Sequence, residues 1–70
     1  MSQFNVSNEN KIAMLNQRLV ELNNEGYNTE IAIVQIKAAN IEESVEQLES
    51  NIEVIKAAIA SIEAELTKLV

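Results

Sequence analysis

Seventy residues with no Cys and no His allow at most one small domain, and rule out disulfides, zinc fingers, haem ligation, thiol nucleophiles and imidazole bases. The net charge is −6 and the five basic residues are scattered, which argues against a partner that presents nucleic-acid phosphates. A single core of this size supplies only about 3–5 kcal/mol, so with disulfides and metal removed, oligomerisation is the remaining staple.

Residues 1–6 read as a flexible arm carrying one apolar pair, Phe4 and Val6. That pair is either a hook for a neighbouring protein or a local staple on the first helix near Ile12. The arm has no basic n-region or apolar h-region, so no signal peptide is expected. No apolar run approaches the ~20 residues of a membrane span. A cytoplasmic chain, or one inside an assembly such as a virion, is the expected setting.

A short amphipathic helix is expected over 7–25. Ser7 is a residue type that caps free N–H groups, and Glu9 would lie near the positive end of the helix dipole. Ile12, Leu15, Leu19 and Leu22 repeat at alternating spacings of three and four. Continuing that stripe would place Gly26 and Thr29 in it, which reads as a break. Gly26 is therefore expected just past the helix end, with Tyr27 closing on Leu22 in a turn over 26–28.

The remaining residues, 29–70, read as one long helix. Ile31, Val34, Ala38, Ile41, Val45, Leu48, Ile52, Ile55, Ile59, Ile62, Leu66 and Leu69 form an unbroken 3-4 stripe. Such a repeat stays on one face only when helices supercoil around each other, so it predicts an oligomer seam. With Ile31 at a and Val34 at d, both positions are rich in β-branched residues, which favours more than two strands. The expected fold is all-α: an antiparallel helical hairpin whose long helix forms a parallel, trimeric coiled coil, with an antiparallel tetramer as the alternative. Ile12, Leu15, Leu19 and Leu22 would then dock against Ile33 and Ile36 on the long helix.

Glu42, Glu46, Glu49 and Glu53 form an acidic ridge, read as a solvated face or as a dock for a basic partner. Two such Glu act as an acid/base pair only in a pocket that separates their pKa values, and an exposed rod offers none. Leu66, Leu69 and Val70 would leave an apolar tip suited to contact with another protein. No catalytic, metal or cofactor residue is expected, and no small-molecule, nucleic-acid or membrane partner.

In size and composition the chain resembles small acidic coiled-coil accessory or assembly proteins such as those encoded by bacteriophages, a likeness that carries over no functional residue. The expected role is a non-enzymatic, self-associating structural or assembly protein within a larger complex. The alternative is an adaptor or regulator whose long helix pairs with a different protein's coil.

Overall fold

The computed structural model describes residues 4–39 and 45–70, and among them the only regular structure is two α-helices in contact. Helix α1 spans Asn8–Ala38 and α2 spans Val45–Leu69. At 1.5 Å per residue they measure roughly 46 and 37 Å, which matches a molecule extending 50 × 18 × 17 Å.

Ser7 starts α1 because its backbone is extended (φ −66°, ψ 153°) and its hydroxyl oxygen accepts from the Asn10 N–H at 3.2 Å. This pairs one of the donors that the first helical turn leaves open, while Glu9 lies at the positive pole. At the other end Lys37 faces the negative pole, and the Ala39 N–H donates to the Gln35 carbonyl at 3.1 Å. Helix α2 repeats the charge pattern, with Glu46 in its first turn and Lys68 in its last.

The turn expected over 26–28 is not there. Gly26, Tyr27 and Asn28 lie mid-helix in α1, and the change of direction falls after Ala38. The reason is packing. Ile12, Leu15, Leu19, Leu22, Gly26, Thr29, Ile33 and Ile36 keep one 3-4 rhythm through the apparent break, and this stripe is the face α1 turns to α2. Gly26 serves as the point of close approach: a Cβ built on it would stand 3.6 Å from Cγ2 of Ile55. Thr29 fits because its hydroxyl donates to the Glu25 carbonyl at 2.9 Å, leaving no stranded donor at the interface.

Leu15 shares a hollow with Leu69, whereas Ile33 shares a groove with Ile52 and Glu46, so the helices run antiparallel. With Gly26 opposite Ile55, heptad steps set Leu22 level with Ile59, Leu19 with Ile62 and Ile33 with Leu48. Val45, Leu48, Ile52, Ile55, Ile59, Ile62, Leu66 and Leu69 thus face α1 of the same chain. The expected single helix over 29–70 is replaced by two helices, and Ile33 and Ile36 extend the Ile12–Leu22 stripe where they had been expected to oppose it.

Among the described residues only Leu22, Val45 and Ile55 are buried. The other inner-face residues are half-exposed, because each has one opposing helix and no second layer behind it. The ion pairs Arg18–Glu21 (3.1 Å), Glu53–Lys56 (3.5 Å) and Glu65–Lys68 (3.5 Å) each run within one helix at exposed positions. Pairs of that kind contribute little, so apolar contact is what joins α1 to α2.

Candidate functional site

The residues expected to form one oligomer seam separate into two sets. Val45 to Leu69 lie on the inner face of α2, as described. Ile31 and Ala38 lie on α1 and point away from it, because Ile31 is two residues beyond the inner-facing Thr29, a rotation of roughly 200°, whereas Val34, one residue past Ile33, lies on the flank between the helices. Ile41 and the acidic-ridge residue Glu42 lie outside the described residues.

Three exposed surfaces result. The first is an open groove of about 800 Å³ along one flank of the hairpin. Ile33 and Ile52 line it together with Val34, and Glu30, Glu46, Glu49 and Glu53 supply four carboxylates beside a single cation, Lys56, which Glu53 already holds. A second hollow between Leu22, Tyr27, Ile55 and Ile59 shares Glu30, Ile52 and Lys56 with it, so the groove continues past Gly26. Among the described residues no group of three or more acidic side chains is placed to hold a metal ion.

The second surface is the outer side of α1. Val20, Tyr27, Ile31 and Val34 are exposed there, and Ala38 continues the line. Tyr27, expected to close a turn, is instead part of this stripe. The sequence reading missed Val20 and Tyr27 as surface residues; the available signal was that Val20, Asn24, Tyr27, Ile31, Val34 and Ala38 also recur at three and four.

The third surface is the open end of the hairpin. Phe4, Val6, Met14, Leu15 and Leu69 line a shallow apolar hollow flanked by Lys11 and Glu65. The tip expected from Leu66, Leu69 and Val70 is accordingly shared with the N-terminal arm. Val6 is half-buried there, Leu66 and Leu69 are half-buried, and Val70 is 90% exposed.

Among the described residues no helix is long and apolar enough to cross a membrane. Compared with protein-family models, curated proteins and solved structures, the chain matches none.

Proposed function

We propose that this protein is a non-enzymatic structural or assembly protein that works by association of its helical hairpins within a larger complex, in the manner of the small phage accessory proteins it resembles in size and composition. One observation carries the reading: the lone chain exposes too much surface. Its accessible area is 5622 Å², whereas a compact monomer of 7.8 kDa exposes about 4,400 Å². Its radius of gyration is 15.9 Å, against about 11 Å for a compact domain of this length. A two-layer hairpin with three buried side chains has little to offset its chain entropy. Further helices laid on its exposed faces supply the missing layer, and two hairpins together make a four-helix bundle.

The trimer expected from β-branched residues at a and d positions needs the α2 seam free for other copies. Since α1 already lies along that seam, the unit that associates is the hairpin, and its copy number is set by the exposed faces. An adaptor role is the second reading, favoured by the acidic flank groove, which suits a basic amphipathic helix from another protein. Thermal melts over a hundredfold range of protein concentration separate the two. Self-association predicts a midpoint that rises with concentration. A midpoint independent of concentration contradicts it and favours the adaptor.

A further inference from the structure

We propose that the acidic groove on the flank of the hairpin is a docking site for a basic amphipathic helix of a different protein, its apolar edge on Ile33 and Ile52 and its cations against Glu30, Glu46 and Glu49. This rests on the adaptor reading and names the helix that the adaptor takes.

The floor of the groove is apolar. Ile33 of α1 and Ile52 of α2 are half-buried in it, and Val34, 67% exposed, follows Ile33. Since Ile33 is level with Leu48, the two floor residues are offset by roughly 6 Å along the axis, the rise between residues i and i+4 of a helix. A helix lying along the groove therefore seats two apolar side chains at that spacing, which is how amphipathic helices anchor in grooves. From Glu46 to Lys56 the rim measures roughly 15 Å, or about three helical turns.

The rims fix the charge of the occupant. Glu46, Glu49 and Glu53 follow one another at three and four along α2, and Glu30 lines the same groove from α1. Glu53 is held by Lys56 at 3.5 Å, whereas Glu30, Glu46 and Glu49 make no ion pair among the described residues. Like charges three and four apart on one helix repel each other. A row of Lys or Arg at the same spacing on the occupant turns that repulsion into attraction.

A second copy of this chain is the wrong occupant. It carries eleven Glu against five basic residues, so it meets carboxylate with carboxylate. Nucleic acid and anionic lipid are repelled by the same rims. A helix with an apolar edge between two basic rows satisfies floor and rims together.

The probe is a fluorescein-labelled synthetic helix of about 14 residues, roughly 21 Å long, with Leu at i and i+4, Lys on both flanks and Ala elsewhere. Two relatives carry Gln or Glu in place of the Lys. Each is titrated with the full chain and followed by anisotropy in low and high salt, and by amide chemical shifts of the isotope-labelled chain. The Lys peptide is expected to bind, the Gln peptide more weakly and the Glu peptide not at all, with binding weakened by salt and shifts concentrated at 30–34 and 46–56. Glu49→Gln should weaken binding about two- to fivefold without lowering the melting midpoint, because it removes a like-charge repulsion. Glu25→Gln makes the same charge change outside the groove and should leave the affinity unchanged. Shifts elsewhere on the chain, or equal losses with both variants, overturn the groove and leave the adaptor reading standing. Tighter binding of the Gln or Glu peptide overturns the basic partner with the same consequence. If none of the three peptides binds, the groove is not a helix dock, and the adaptor reading loses the observation that favoured it.

Discussion

Gly26 and Ile55 face each other across the contact between α1 and α2, with 3.6 Å between a Cβ built on the glycine and the Ile55 Cγ2. That distance is ordinary van der Waals contact, so one methyl group fits at Gly26 without displacing Ile55.

Gly26→Ala is therefore expected to stabilise the hairpin. Alanine is better than glycine in a helix interior by about 1 kcal/mol, and the added methyl gains contact with Ile55. For a domain of this size that shifts the melting midpoint upward by roughly 4–8 °C. Gly26→Leu should do the opposite, wedging α1 off α2 at a cost of about 1–3 kcal/mol. Paired melting curves check both signs.

Leu22 and Ile55 are two of the three buried side chains among the described residues. Leu22→Ala or Ile55→Ala should cost about 2–5 kcal/mol, comparable with the stability available to so small a core. Ile55→Asp adds an unpaired buried carboxylate. Urea titration followed by circular dichroism should show the alanine variants largely unfolded in dilute solution and the aspartate variant unfolded throughout.

How far the fold could be read from sequence is visible in these same positions. The stripe from Val45 to Leu69 was legible, and so was its need for a facing helix. Periodicity does not reveal whether that helix belongs to the same chain or to another, since both bury the same face. Gly26 and Thr29 misled because a glycine at a close approach and a glycine at a helix stop look alike in sequence, and because a threonine that bonds its own helix can sit in an apolar stripe. Ile31, Val34 and Ala38 happen to keep phase with Val45, which joined two helices into one. Of the three residues expected at the apolar tip, Leu69 lines the hollow at the open end, while Leu66 and Val70 do not. The flank groove was not foreseen, because it exists only between two helices.

Ser7→Ala should remove the acceptor for the Asn10 N–H and cost about 1 kcal/mol, with fraying confined to the start of α1. Amide exchange resolved by residue would show faster exchange through the first turn and little change near Leu22.

Tyr27→Glu changes a side chain that is 66% exposed and places a carboxylate on an apolar surface of α1. The expected outcome is weaker association, read as a fall in sedimenting mass at a given concentration, with a lower melting midpoint. The equivalent change on the back of α2, Val54→Glu, should leave both nearly unchanged.

Sedimentation equilibrium of the unsubstituted chain over a dilution series, with helicity measured at each concentration, tests the central claim most directly. Association of hairpins predicts a mass that is a multiple of 7.8 kDa, and helicity that declines together with mass on dilution. A mass of one chain with full helicity at every concentration would contradict it.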